Sequence, residues 1–196
     1  MKKVCILRGS PRKTGNSNSL VTVVAEELTR QGHTVTDFDL CTMDVRPCIA
    51  CRWCQKDWTQ ASCIQKDDMQ PIFDAILDCD LILLATPIYS WFCTPPMKAA
   101  LDRLVYVMNM FYGPEKGPAL WAGKSLAMVV SCGYRPDRGA DLWEEAMRRY
   151  CKHSELCYAG MLCERHKAYH LPFLTEEVEQ RALDFTARLL DGLSVI

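Results

Sequence analysis

The sequence lacks the features that would place the chain in a membrane, in the secretory pathway or on a nucleic acid. No apolar stretch approaches the roughly 20 residues that a membrane-spanning helix needs. The opening Met1-Lys2-Lys3 leads into a short strand-like run, without the longer apolar stretch and cleavage site of a signal peptide. The 23 basic and 24 acidic side chains nearly balance, so the charge does not point to nucleic acid or an anionic membrane. We therefore predict a cytoplasmic protein that binds neither.

Internal repeats, low-complexity tracts and a linker that would separate two domains are also missing from the sequence. A chain of 196 residues is close to the size of one domain, and its hydrophobic fraction of 49% is enough for a core. We predict a single domain over residues 1–196, with a cysteine-rich loop at about 41–66.

Apolar runs alternate with segments of helical period along the chain. Strands are predicted at Lys3–Leu7, Thr34–Leu40, Asp80–Ala85, Leu126–Val130 and Glu155–Met161. The intervening helices are predicted to begin near Asn18, Asp67 or Asp68, Pro95 or Pro96, Asp141 and Thr175. This alternation predicts an α/β fold with a doubly wound, five-stranded parallel sheet. Such sheets bind ligands at the carboxyl ends of their strands.

The loop after the first strand is rich in groups that can hold a phosphate. It joins a strand to a helix N-terminus, where backbone N–H groups and the helix dipole attract anions. Its candidate ligands are Ser10, Arg12, Asn16, Ser17 and Asn18. The Walker A pattern is missing because Asn16 stands where Lys is needed, and the G-x-G-x-x-G pattern is missing too. The alternative is a plain turn, but a turn needs only one capping residue.

Two further loops, after the third and fourth strands, carry aromatic residues and glycine. Pro87, Tyr89 and Trp91 offer a surface for an aromatic ligand, while Gly133 permits close approach and Tyr134 could cover a ring. Taken alone, the aromatic residues of the first of these loops are better explained by core or interface packing, and the second loop is equally well explained by a tight turn into the next helix. We expect the three loops together to form one site.

Three segments resemble the NADPH-dependent FMN reductase family of the flavodoxin-like fold. They are Gly9–Ser17 (Gly-Ser-Pro-Arg-x-x-Gly-Asn-Ser), Thr86–Ser90 (Thr-Pro-Ile-Tyr-Ser) and Met97–Arg103 (Met-Lys-Ala-Ala-Leu-Asp-Arg). The cluster from Cys48 to Cys63, running into Lys66-Asp67-Asp68-Met69, is similar to the iron–sulfur flavoprotein branch of that family. The resemblance covers about residues 1–135.

The resemblance implies a flavodoxin-like sheet of strand order 2-1-3-4-5, bound FMN, and a homodimer or homotetramer. It implies electron transfer from NAD(P)H, or a reduced carrier such as ferredoxin, to an acceptor that it does not specify. The FMN phosphate would lie on the first-loop residues, and the ring edge on Pro87, Ile88, Tyr89 and Ser90. A looser match places Ser131, Gly133 and Tyr134 on the other side of the ring. The flavin performs the chemistry, so we nominate no acid–base residue and expect His153, His166 and His170 to be surface or packing residues.

The chain contains twelve cysteines. Because they fall inside apolar runs, Cys5, Cys79, Cys132 and Cys157 are predicted to be small core residues. Four others, Cys48, Cys51, Cys54 and Cys63, come from a single loop. Their spacing favours one [4Fe–4S] cluster, with unliganded thiols and a zinc site as the alternatives.

Three functions fit these observations. The first is an FMN-dependent enzyme that oxidises NAD(P)H, and the second is an electron carrier like flavodoxin without a substrate of its own. The third is a redox sensor based on thiols or a metal. Carrier flavodoxins are usually strongly acidic for docking, whereas this chain has a net charge of -1, which favours the enzyme.

Overall fold

Five parallel strands form the centre of the computed structural model, which describes residues 1–193. They are β1 (Lys3–Arg8), β2 (Thr34–Asp39), β3 (Leu81–Pro87), β4 (Ser125–Cys132) and β5 (Cys157–Arg165). Their order in the sheet is β2-β1-β3-β4-β5, and every neighbouring pair is parallel. The predicted doubly wound, flavodoxin-like sheet is therefore confirmed.

Helices cover both faces of this sheet. They are α1 (Asn16–Arg30), α2 (Met69–Asp78), α3 (Pro95–Met108), α4 (Pro136–Gly139), α5 (Asp141–His153) and α6 (Glu176–Leu193). The apolar sides of α1 and α6 pack with strand residues such as Ile6 and Leu83 on one face. On the other face, α2, α3 and α5 pack with Leu84 and Met128. All residues of β4 are buried, which explains why its sequence is a continuous apolar run.

Some predicted boundaries shift for local reasons. Strand β5 begins at Cys157 and not at Glu155, because α5 runs to His153 and Glu155 then turns the chain with φ +57°. The short helix α4 was not predicted. Asp68 occupies the N-cap position of α2, but its carboxylate accepts from the backbone N–H of Asp44 at 2.7 Å and does not cap the helix.

Three of the four cysteines that were predicted to lie in the core are buried, and one is exposed. Cys5, Cys79 and Cys132 are buried, as predicted. The prediction for Cys157 is wrong, because this residue is exposed at the start of the edge strand β5. Within residues 1–193, no helix has the length and apolar character needed to cross a membrane.

Candidate functional site

A cleft of about 470 Å³ lies at the carboxyl ends of β1, β3 and β4. Because α1 leaves β1 on one face of the sheet and α3 leaves β3 on the other, their loops diverge and leave a crevice between them. The cleft gathers most of the predicted site residues: Ser10, Arg12, Asn16, Ser17, Pro87, Ile88, Tyr89, Ser131 and Gly133. Asn18, Ser90 and Tyr134 do not line it.

The N-terminus of α1 opens into this cleft without a side-chain cap. Its N-cap residue is Gly15, which lines the cleft and has no side chain to accept from the first-turn N–H groups. The structure therefore does not support the alternative of a plain capped turn. A Cβ on Gly15 would lie 3.0 Å from the backbone oxygen of Arg12, so a larger residue would crowd the loop. The helix end is free to bind an anion.

Hydrogen bonds fix the first loop around this helix end. Ser17 and Ser131 share a buried hydrogen bond of 2.7 Å between their hydroxyl oxygens, which ties the loop to the end of β4. The side-chain amide of Asn18 donates to the backbone oxygen of Arg12 at 2.9 Å, so Asn18 stabilises the loop without lining the cleft. Among the described residues no carboxylate forms an ion pair with Arg12, whose charge stays available to the cleft.

His166 is a residue of the cleft that the sequence did not reveal. It follows β5, and its Nδ1 accepts from the side-chain amide of Asn16 at 3.0 Å. This bond leaves the hydrogen of a neutral imidazole on Nε2, which is buried and has no hydrogen-bond partner within residues 1–193. His166 was expected to be a surface or packing residue, and the structure places it in the lining of the cleft.

The second loop makes a tight turn beside the cleft. The backbone N–H of Ile88 donates to the oxygen of Ser131 at 2.8 Å, which joins the ends of β3 and β4. Ser90 and Trp91 follow with φ of +49° and +66°, and Tyr89 and Phe92 close the turn by backbone hydrogen bonds. Both Ser90 and Tyr134 line a smaller adjoining cavity of about 220 Å³.

An aromatic wall borders this adjoining cavity. The rings of Trp91 and Tyr134 are stacked, with their centroids 5.9 Å apart and an angle of 10° between their planes. The indole N–H of Trp91 donates to the backbone oxygen of Arg138 at 3.0 Å. Tyr134 is 63% exposed, so the wall presents an apolar face to solvent beside the cleft.

Cys48, Cys51, Cys54 and Cys63 line a second, much smaller cavity of about 20 Å³. Between them the backbone turns sharply at Ala50 and Arg52, which have φ of +53° and +59°. A cavity of that volume has room for about one water molecule. In the part of the chain that the structure describes, no group of three or more His, Cys, Asp or Glu side chains is arranged so that it could hold a metal ion.

A buried ion pair supports this cysteine pocket. Arg103, from α3, lines the pocket and pairs with Asp67, and both side chains are 1% exposed. Burial acts to raise the pKa of Asp67, but hydrogen bonds from Arg103 and from the backbone of Arg46 outweigh it and hold the pKa below its usual value. Arg103 keeps two buried nitrogens, Nε and Nη2, without a hydrogen-bond partner among residues 1–193.

Comparison with known proteins agrees with this geometry. The sequence model of the NADPH-dependent FMN reductase family matches residues 2–152. The chain belongs to this family. The resemblance that the first and second loops predicted is therefore confirmed.

Two relatives that the chain matches are named iron-sulfur flavoproteins. One from Archaeoglobus fulgidus is 32% identical over 105 residues, which are 54% of this chain and 46% of the relative. One from Methanocaldococcus jannaschii is 26% identical over 140 residues, which are 71% of this chain and 66% of the relative. The chain thus spans about half the length of the first of these relatives.

A solved structure agrees with the fold along the whole chain. The NAD(P)H:quinone oxidoreductase from Methanothermobacter marburgensis superposes with a TM-score of 0.71, at 16% identity, covering 100% of this chain and 99% of that one. At that identity the likeness supports the flavodoxin-like fold of the FMN reductase family and nothing finer.

Proposed function

We propose that the protein is an FMN-dependent oxidoreductase that holds FMN in the cleft and takes electrons from NAD(P)H. The observation that carries this proposal is the uncapped N-terminus of α1, which opens into the cleft beside Arg12. An anion-binding helix end at the carboxyl edge of a parallel sheet suits the phosphate of a mononucleotide.

The first loop offers a complete set of donors to that phosphate. The first-turn N–H groups of α1 act with the hydroxyls of Ser10 and Ser17, and Arg12 adds a charge. The buried Nε2 of His166 supports the same assignment, because a buried donor without a partner gains a hydrogen bond when an anion enters. Residues such as Asn18, which bonds backbone oxygens, keep these donors in position.

The ring of FMN would lie between the second and third loops. Pro87 to Tyr89 and Ser131 to Gly133 both line the cleft, and the aromatic wall continues outward from them. A volume of about 470 Å³ lies within the range of roughly 300–1,000 Å³ usual for cofactor sites. When bound, FMN supplies the hydride and electron chemistry, and the protein binds and orients it. We propose FMN and not FAD, because the first loop suits a terminal phosphate and the chain has no dinucleotide pattern.

NAD(P)H as the electron donor is tested by flavin bleaching. Protein purified without oxygen should release FMN on heating, and chromatography identifies the released flavin. Adding NADPH to the intact protein should remove the visible absorption of the bound flavin. Finding only FAD, or no affinity for any flavin, would refute the cofactor assignment. Bound FMN that neither NADPH nor NADH bleaches would refute the enzyme activity and leave the cofactor assignment standing.

A second candidate function is an electron carrier without its own substrate. The pocket of four cysteines favours it, because a protein that carries both an iron–sulfur cluster and a flavin suits electron transfer between protein partners. In this case reduced ferredoxin would bleach the flavin and NAD(P)H would not.

The four cysteines suit a [4Fe–4S] cluster in number and chemistry, but the pocket does not suit it in size. Four thiols on one cavity match the ligand set of the cluster, whereas about 20 Å³ holds only about one water. We propose that Cys48, Cys51, Cys54 and Cys63 bind the cluster only after the loop opens. The proposed reaction at the cleft does not pass through it.

A further inference from the structure

Two thiols meet where the cleft reaches the edge of the sheet. Cys132, the last residue of β4, is 4% exposed and lines the cleft. Its sulfur lies 3.5 Å from the sulfur of Cys163 on β5. The pair is separate from the cysteine pocket, and the FMN site proposed above makes no use of it.

The sheet register brings these thiols together. Val130 of β4 lies opposite Cys163, and Cys132 follows two positions later. Because side chains two apart in a strand point to the same face, both thiols project from that face of the sheet as a diagonal pair. Strand pairing alone thus holds the two sulfurs in contact.

The surroundings make the two sulfurs chemically different. The thiol of Cys132 donates to the backbone oxygen of Tyr134 at 3.1 Å. In its contact with Cys163 either sulfur can be the donor. That contact lowers the pKa of Cys132, burial opposes this effect, and nearby Arg165 adds to it. The same contact, together with burial, raises the pKa of Cys163. Cys132 is the member of the pair that lines the cleft. Of the two thiols it deprotonates more readily, and a thiolate is the reactive form of cysteine.

We propose that Cys132 and Cys163 form a redox-active dithiol that exchanges two electrons with the FMN bound in the cleft. This inference rests on the function proposed above. In the exchange the Cys132 thiolate and the Cys163 thiol form one S–S bond and release a proton and two electrons. Oxidised FMN takes the two electrons, that proton and one more from solvent, and becomes reduced FMN. The reverse reaction reopens the disulfide.

Two features favour exchange with the flavin over a purely structural disulfide. FMN in the cleft would cover Cys132, so the flavin becomes the oxidant or reductant in contact with it. Closing the bond also requires the sulfurs to move from 3.5 Å to about 2.05 Å between diagonal positions of the sheet. Residues at diagonal positions of a sheet are farther apart than the Cα atoms of most disulfides, so this bond would be strained. A strained disulfide is easier to reduce, as a catalytic pair requires.

The first test asks whether the disulfide forms. The purified protein is treated with oxidised glutathione, its remaining thiols are alkylated, and its peptides are mapped by mass spectrometry. We expect a peptide pair joined by Cys132 and Cys163, which is lost in Cys163→Ser and kept in Cys157→Ser. Cys157 is a matched control because it lies on the same strand but is exposed. Full alkylation of both Cys132 and Cys163 after oxidation would overturn the proposal.

The second test asks whether the pair exchanges electrons with the flavin. Anaerobic titration of the oxidised, FMN-loaded protein with dithionite should require about two more electrons per chain than titration of Cys163→Ser or Cys132→Ser. Any iron–sulfur cluster contributes equally to all three proteins. Equal electron uptake with flavin bound would overturn the exchange. If the protein binds no flavin, the function proposed above fails, and the exchange between the dithiol and FMN fails with it. Bound flavin with equal electron uptake refutes only the exchange.

Discussion

The cleft and the cysteine pocket lie in regions that are held in different ways. The cleft, about 470 Å³, is framed by the ends of three hydrogen-bonded strands. The cysteine pocket, about 20 Å³, lies in a long connection whose regular structure between β2 and α2 is one short turn at Trp53–Gln55. A buried ion pair supports it from α3. The strand ends thus frame an open cleft, whereas the loop and α3 enclose the four thiols in a pocket with little free volume.

The strongest test of this difference between the cleft and the cysteine pocket is whether the pocket opens to bind a cluster. Protein made and purified without oxygen should contain about four irons and four sulfides per chain. Cys51→Ser should lose nearly all the iron and keep its FMN, because the cleft does not share residues with the pocket. Iron, sulfide and flavin analyses measure the three quantities.

Cys41→Ser is the control for this loss, since Cys41 lies at the start of the same loop but does not line the pocket. Anaerobic protein with full flavin and no iron or sulfide would rule out the cluster. Stoichiometric zinc in its place would make the pocket a structural site.

The buried ion pair of the loop should matter more to stability than an exposed pair nearby. Asp67→Ala leaves Arg103 buried without its partner, so we expect a loss of about 3–5 kcal/mol in the free energy of unfolding. Asp44→Ala removes the exposed partner of Arg46 and should change the free energy of unfolding very little, because solvent screens an exposed pair. Urea titration of both variants measures the difference. Equal small losses would mean that the ion pair does not hold the loop.

The ion pair of Asp67 and Arg103 should also affect how stability depends on pH. The pKa of Asp67 in the folded protein lies below its ordinary value of 3.8, so its contribution is present above that value and is lost as pH falls through the folded pKa. Unfolding free energy should therefore fall less steeply below about pH 4 in Asp67→Ala than in the original protein. Identical acid slopes for the two proteins would show that Asp67 is not held in its charged form.

Variants of the first loop that weaken FMN but not riboflavin would show that this loop binds the phosphate. Hydrogen bonds to a charged group contribute about 1.5–3 kcal/mol, so Arg12→Ala or Ser17→Ala should weaken FMN roughly tenfold to a hundredfold. Riboflavin, which lacks the phosphate, should bind nearly unchanged. Lys13→Ala is the control, because Lys13 adjoins Arg12 but does not line the cleft. Equal losses for both flavins would mean that these residues support the loop and do not bind phosphate.

An effect of similar size is expected at His166, whose Nε2 would donate to the charged phosphate. A hydrogen bond to a charged group contributes about 1.5–3 kcal/mol, so His166→Ala should weaken FMN roughly tenfold to a hundredfold and riboflavin less. His170→Ala, at an exposed position outside the cleft, should change neither. Fluorescence titration measures all four affinities. An unchanged affinity for FMN would remove His166 from the proposed site.

The regions also differ in what the sequence could predict. Alternating apolar runs identified β1, β3 and β4, so the loops that follow them were found from local pattern alone. His166 comes to the cleft because β5 runs beside β4, and the Cys132–Cys163 contact depends on the register of those two strands. The Arg103–Asp67 pair joins residues 36 positions apart. Contacts of this kind depend on tertiary packing, which no local spacing encodes.

The position of FMN itself tests the cleft assignment most directly. A crystal structure of the protein with FMN should place the phosphate within hydrogen-bond distance of the first-turn N–H groups of α1 and of Arg12. The ring should lie between Pro87–Ser90 and Ser131–Tyr134. FMN bound elsewhere, or bound in the cleft with its phosphate pointing away from α1, would contradict this assignment.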